Sequence, residues 1–430
     1  MEKENYIFKA RENIENILFN NKPIQTGITV QVFPNKTFDV YEVPLEFLKF
    51  NPYNDRIASY IKSYEFENSH FDMDWLSEKG QTIISDFLWE SDIINNKKTE
   101  DDIKQNKQHT FAIINKNGLV IDGNRRLCIL RKICSELNYQ SSNIDFFNKL
   151  KTIVLDDSFS EIEIMRLETA IQMGQDEKLD YQAIEKYLKV NKLLQKGFKE
   201  EEIAALMKKK VKDIENYKKI FSLMENYLNY IEAPNQFHFI RKSEDHFINL
   251  SATLEAMKSN KYQSDWKYDL TDVYEFQNIA FNYIRIGYEG KKFRKLLGTP
   301  NPRTKGTKKS LFSNEKSWNE FSKVIKDLND RAEKIITQRS DLIDKKDIEE
   351  CYKKETHTDF DNYLELETNI LSITSKRFKG EDLMHTAYEY INQINEIFEE
   401  TNITPNFKKN FKKIKELIVE IDEKLLQGEN

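Results

Sequence analysis

Residues 111–127 read Phe111-Ala112-Ile113-Ile114-Asn115-Lys116-Asn117-Gly118-Leu119-Val120-Ile121-Asp122-Gly123-Asn124-Arg125-Arg126-Leu127, and this stretch decides how the first part of the chain is read. Two apolar runs flank Asn117-Gly118. An Asn-Gly pair in that setting predicts a β-hairpin, because both residues accept positive φ. The second run leads straight into Asp122-Gly123-Asn124. Beyond it, Leu127, Leu130, Cys134 and Leu137 recur at helical spacing and predict a helix with one buried face. The expected unit is therefore hairpin, glycine turn, helix.

Working outward, residues 28–50 read as strands with turns, and Asn51-Pro52-Tyr53-Asn54-Asp55-Arg56 as a turn. Residues 57–110 are mixed and partly helical, with a polar surface loop over 95–108. Thr152-Ile153-Val154-Leu155 predicts a further strand. The first domain is thus α+β and ends near residue 157. Helical patterns cover 160–172 and 177–196, where Ile184, Tyr187, Leu188 and Leu194 form a stripe that Gly197 breaks. A short helix follows over 199–207 and another from about 211 to 223. Three short helices with a tight middle turn match a helix-turn-helix. The remainder, 231–430, is predicted to be α-helical, interrupted at Gly298-Thr299-Pro300-Asn301-Pro302. In its last helix Phe407, Phe411, Ile414, Ile418, Ile421 and Leu425 follow a heptad spacing, though over fewer heptads than a long coiled coil needs.

The chain has 430 residues, enough for two or three domains; 32 % are charged, with only 12 glycines and 8 prolines. That balance favours helix over a large open sheet. A formal net charge of −6 excludes a uniformly basic coat but leaves room for basic patches. The three cysteines, Cys128, Cys134 and Cys351, are not spaced as a disulfide framework, and a reducing, cytoplasmic compartment is expected. No membrane span or signal peptide is predicted. The six histidines are scattered away from metal-ligand spacing, and there is no Walker A loop, dinucleotide glycine fingerprint or Gly-x-Ser-x-Gly elbow.

The glycine turn carries the chemistry. A helix start presents unpaired backbone N–H groups and a partial positive charge. Gly123 lets the chain turn, and Asn124 is of a good N-cap type. Arg125 and Arg126 then fall in the first turn, the end where the helix dipole repels cations by a few tenths to about 1 kcal/mol each. A compensating anion is expected: a bound phosphate, or equally Asp122 or another carboxylate of the chain.

Val120-Ile121-Asp122-Gly123-Asn124-Arg125-Arg126-Leu127 resembles the signature loop of the ParB/sulfiredoxin-like superfamily. Leu48-Lys49-Phe50-Asn51-Pro52-Tyr53-Asn54-Asp55-Arg56 is similar to the first family box. Leu167-Glu168-Thr169-Ala170-Ile171-Gln172 is similar to a later one, and the helix-turn-helix falls at the family's position. The resemblance spans about residues 40–225. It implies an α+β ParB/sulfiredoxin-like domain over 1–157, a helix-turn-helix domain over 158–230 and an α-helical region over 231–430. It implies phosphate contacts from Gly123, Asn124, Arg125 and Arg126, with Arg56 as a further candidate. It also implies a nucleoside triphosphate (CTP or ATP) and a Mg²⁺ ion faced by Glu168. Asn124, Thr169 and Met173 depart from the family pattern, and the reactive cysteine of sulfiredoxin is absent, since Asn124 stands in its place. Cys128, one helical turn further on, reads as core. Plasmid partition or maintenance, and mobile-element or phage defence, are settings known for such proteins.

DNA is the expected macromolecular partner. Lys208, Lys209, Lys210 and Lys212 cluster at the turn and at the start of the second helix of the helix-turn-helix; Asn216, Lys218 and Lys219 lie further along it. That helix's N-terminal residues approach the bases in such motifs, and lysines neutralise phosphates. A solvated lysine face is the plainer alternative. A second basic stretch over 291–309 could serve as a phosphate-contacting arm or a surface loop. Two other functions stay open. One is a Mg²⁺-dependent nuclease or nucleotide hydrolase built on Glu168 with Asp156 and Asp157. The other is an adaptor whose helical C-terminal half binds a protein partner or forms a homodimer.

Overall fold

The computed structural model describes residues 2–30, 32–68, 71–136, 144–173, 183–298, 310–342, 344–375, 380–396, 398 and 403–428. It divides into two compact units, 1–363 and 364–430, each described by itself.

Unit 1 begins with helix α1 (Glu2–Asn20) and a six-stranded mixed sheet. Its strands are β1 (Gln25–Val30), β2 (Phe33–Pro44), β3 (Lys49–Phe50), β4 (Ala112–Asn115), β5 (Leu119–Asp122) and β6 (Lys149–Leu155), in spatial order β1-β2-β6-β4-β5-β3. Pairing is antiparallel at β1–β2, β2–β6 and β4–β5, and parallel at β6–β4 and β5–β3. The predicted hairpin is present as β4–β5, with a bulge between Ile113 and Ile114. Only Gly118 takes positive φ in its turn, at 78°. Asn117 does not, because the Asn115 side chain closes the turn by accepting from the N–H groups of Asn117 and Leu119, both at 3.0 Å.

Between β3 and β4 lie α2 (Ala58–Glu67), α3 (Glu78–Glu90) and α4 (Ile93–Asn106). The polar segment 95–108, expected as a loop, is thus mostly helix. Asp92 caps α4 by accepting from Asn95 N–H, and Asn96, Glu100 and Ile103 supply its buried face. Two of these three are polar, which hid the periodicity. Helix α5 (Asn124–Glu136) follows β5. It buries Leu127, Cys128, Ile129, Leu130 and Ile133, while Cys134 is only half-buried, so the inward face is broader than the predicted stripe. Leu137 lies outside the described residues.

Helices cover both faces of the sheet. On one, Val43, Phe50, Ala112, Ile114, Val120 and Leu150 pack with residues of α1 to α5. On the other, Val40, Ile113, Ile121, Ile153 and Leu155 pack with Phe159 and with Leu167 of α6 (Glu161–Met173). This double burial explains why β4 and β5 are continuous apolar runs rather than alternating ones.

Helices α7 (Ala183–Gln195), α8 (Glu200–Leu206) and α9 (Val211–Tyr230) come next. Met165 of α6, Val190, Leu193, Phe198, Ile203, Ala204, Met207 and Ile214 form their common core. Helix α9 runs seven residues past its expected end, because Met224, Tyr227 and Leu228 are also buried. Unit 1 continues through α10 (Glu244–Lys258), α11 (Leu270–Arg285), α12 (Gly290–Leu297) and α13 (Glu315–Thr337). Helix α14 (Lys345–Ser375) crosses the division at 363/364. Unit 2 holds α15 (Gly380–Glu396) and α16 (Pro405–Gly428). Among the described residues no helix is long and apolar enough to cross a membrane.

Candidate anion site and helix-turn-helix

Gly123 has φ 103°, and a Cβ placed on it would lie 2.6 Å from the Cβ of Ala112. The glycine is required by the left-handed backbone and by close packing on β4. Asn124 is the first residue of α5 and is buried. Its amide nitrogen donates to Val120 O at 2.8 Å, and its oxygen accepts from Asn51 N–H at 2.9 Å. It therefore ties the strand end to the 51–56 turn, a role different from the expected cap. Within that turn Asn54 accepts from Arg56 N–H at 3.1 Å.

The Arg125 side chain is only 10 % exposed. Its Nη2 donates to Thr99 Oγ1 at 3.4 Å, and Asp92 Oδ2 lies 3.7 Å from Nη1. Nε and Nη1 are buried and have no hydrogen-bond acceptor. Burial, with the positive charge of Arg56, holds this guanidinium below its ordinary pKa, and Asp92 opposes the shift. Arg126 donates through Nη2 to Thr110 Oγ1, while its buried Nη1 also lacks an acceptor. Burial lowers its pKa as well, against the attraction of Asp122. Asp122 itself is pushed up by burial, opposed by Arg126, Arg56, the Gly123 N–H and the Gln172 side chain. Three guanidiniums thus meet two carboxylates here, and several buried N–H groups remain unanswered. Buried donors without partners cost about 1–3 kcal/mol each, more when charged, which an incoming oxyanion would offset.

Glu168 sits elsewhere in the network. It is buried on α6, and its Oε2 lies 3.3 Å from Nζ of Lys189 on α7. Lys189 is also bonded to the buried Asp55, and Lys192 lies 3.7 Å from the other Asp55 oxygen. Burial raises the pKa of Glu168 against the pull of Lys189. Burial lowers that of Lys189, but the two carboxylates outweigh it and hold the ammonium above its ordinary value. Next to this triad, buried Glu185 accepts from the hydroxyl and N–H of Ser59.

The ammonium of Lys189 fills the place that a cation between Asp55 and Glu168 would take, so Mg²⁺ does not fit at Glu168. Asp156 and Asp157 are exposed and are used otherwise: Asp156 accepts from Ser158, and Asp157 pairs with Arg11 and Lys116. Among the described residues no three His, Cys, Asp or Glu side chains are grouped to hold a metal ion. Cys128 is buried beside Ser85, as a core residue, and burial raises its pKa.

Sequence reasoning reached Arg56, Gly123, Asn124, Arg125 and Arg126 but not Thr99, Thr110, Lys189 or Glu185. Glu185 and Lys189 stand four apart on α7, a spacing that reads as a solvated ion pair. Only their placement against Asp55 and Ser59 buries them.

At the turn between α8 and α9, the segment expected to be a helix-turn-helix, Lys208 takes φ 51°. Lys210 immediately precedes α9 as its N-cap residue, and its N–H donates to Asp213 at 3.0 Å. Lys208, Lys209, Lys210 and Lys212 are exposed, and Asn216 is half-buried. Lys218 and Lys219 are exposed too, but each is paired with a carboxylate, Glu200 at 2.5 Å and Glu255 at 2.6 Å. Most of the basic stretch 291–309 lies outside the described residues.

No family model matches the chain, and no curated protein matches it.

Proposed function

We propose that this protein is a ParB-like DNA-binding protein whose Gly123–Arg126 loop, with Arg56, takes up the phosphate of a nucleotide or of DNA. The observation that carries the reading is the Arg125 side chain, nine-tenths buried at the start of α5 with Nε and Nη1 unanswered. Thr99 and Asp92 meet only part of this guanidinium; leaving its buried Nε and Nη1 without hydrogen bonds is costly, and a phosphate supplies acceptors for them in bidentate geometry. DNA contact is assigned to the α8–α9 motif, with Lys208, Lys209, Lys210 and Lys212 at the open end of α9 and Asn216 behind them. Lys218 and Lys219 would contribute less, because Glu200 and Glu255 already balance them. A Mg²⁺ ion, where one accompanies a triphosphate, would be held by the phosphates and not by Glu168. The dispersal of Glu168, Asp156 and Asp157 gives a hydrolytic reading no common metal site to stand on.

The test is a thermal-shift panel of CTP, ATP, GTP and ADP with Mg²⁺, beside duplex-DNA titrations, on the wild type and Arg125→Ala/Arg126→Ala. A nucleotide at 100 times its Kd adds about 2.7 kcal/mol of stability. The double variant is expected to lose that gain, or to bind DNA more weakly where DNA is the ligand. Unchanged nucleotide and DNA binding in the double variant would sink the reading and leave an adaptor role for the helical half.

A further inference from the structure

Helix α16 carries an apolar face that is exposed among the described residues. Phe411, Ile414, Ile418 and Ile421 are all exposed, although their 3-4-3 spacing places them on one side of the helix. Phe407 continues that seam, stacked on Phe411 with ring centroids 6.4 Å apart, and the sequence keeps the spacing to Leu425. Such a seam on a water-exposed helix calls for a partner helix.

Charge selects the partner. Before residue 416 the helix carries Lys408, Lys409, Lys412, Lys413 and Lys415 and no acid. From 416 onward it carries Glu416, Glu420, Asp422 and Glu423, with Lys424 the single base. A parallel copy would lay lysines along lysines. An antiparallel copy lays the basic half of each helix along the acidic half of the other. Helix α15 also exposes apolar residues, Met384, Tyr388 and Ile391, but it has no Lys or Arg to answer the acidic half of α16.

We propose that α16 pairs antiparallel with α16 of a second copy of this chain, about a two-fold axis at Glu416. In that register Phe411 faces the partner's Ile421 and Ile414 faces the partner's Ile418, and symmetry repeats both layers. Lys408 then flanks the seam opposite the partner's Asp422. The interface is isologous, as a two-fold dimer requires. This inference is independent of the phosphate reading.

The test is sedimentation equilibrium of the full chain across a concentration series. The wild type is expected to be a dimer, and Ile414→Asp/Ile418→Asp a monomer with unchanged unfolding of unit 1. Lys408→Asp or Asp422→Lys alone sets like charges opposite each other twice by symmetry, and is expected to weaken the dimer by about tenfold. Mixing the two single variants restores every attraction in the heterodimer, so the mixture is expected to associate as well as the wild type does. A monomeric wild type, as when α15 covers α16 within one chain, overturns the proposal. So does a dimer indifferent to the charge reversals, or one weakened by each reversal and not restored by mixing.

Discussion

Asn124 Oδ1 accepts a hydrogen bond from the N–H of Asn51 at 2.9 Å, joining two turns 73 residues apart in sequence. Because the same side chain donates to Val120 O, one buried amide fixes the 51–56 turn, the end of β5 and the start of α5 together. Arg56 lies in the one turn and Arg125 follows the other, and the charge of Arg56 is felt at Arg125. Asn124→Ala leaves a buried N–H and a buried carbonyl without this partner and is expected to cost about 2–3 kcal/mol in urea unfolding. Asn124→Asp keeps the acceptor, loses the donor and adds a charge beside Asp122, so it should fare no better.

Gly123→Ala is expected to destabilise by about 1–3 kcal/mol, since it combines a left-handed φ with a collision against Ala112. The double variant Ala112→Gly/Gly123→Ala removes the collision and keeps the backbone strain. Urea unfolding should therefore show partial recovery. Full recovery would mean that φ carries no cost here, and none would mean that the collision is immaterial.

Lys189→Met strands the carboxylates of Asp55 and Glu168 in the interior. Breaking a buried ionic group by removing one member costs about 3–5 kcal/mol. Asp55→Asn/Glu168→Gln/Lys189→Met takes away the stranded charges with it, and its unfolding free energy should lie well above that of the single variant. If Lys189→Met alone is neutral, the buried triad is not the link between α6, α7 and the 51–56 turn.

Burial pushes the Glu185 carboxyl up to about 8 from its ordinary 4.5. The folded protein therefore keeps a proton that the unfolded chain releases. The sign follows from linkage: this group's relative stabilisation is complete below pH 4.5 and is lost as pH rises through about 8. Glu185→Gln, which cannot ionise, is expected to show a flatter fall in unfolding free energy between those limits. Equal slopes for variant and wild type would count against the burial of this carboxyl.

If the proposed DNA contact through α8 and α9 is right, affinity for duplex DNA should fall with salt. Each phosphate contact removed by Lys208→Ala, Lys210→Ala or Lys212→Ala should make the log–log slope shallower by about 0.9. Lys218→Ala and Lys219→Ala should change it less, because both lysines already have carboxylate partners. The reverse ranking, measured by fluorescence anisotropy, would move the contact surface along α9.

The sequence by itself determined the hairpin, the glycine turn, the start of α5 and the three helices around residue 200. In each case the signal is local: turn chemistry at Asn117-Gly118 and Gly123, and apolar spacing within one helix. It failed at α4, whose inward face uses Asn96 and Glu100, and at the end of α9, where burial by later helices decides. The tertiary structure alone decided which charges are hidden. Glu185 and Lys189 look solvated along α7 until α2 and the 51–56 turn close over them. Glu168 looks like a metal ligand until Lys189 supplies its cation. The arginines of 125–126 were visible from the start, but their burial and the partial answer to their N–H groups come from Thr99, Thr110 and Asp92, far away in sequence. Burial and hydrogen-bond satisfaction are properties of residues brought together from distant parts of the chain, and no local pattern encodes them.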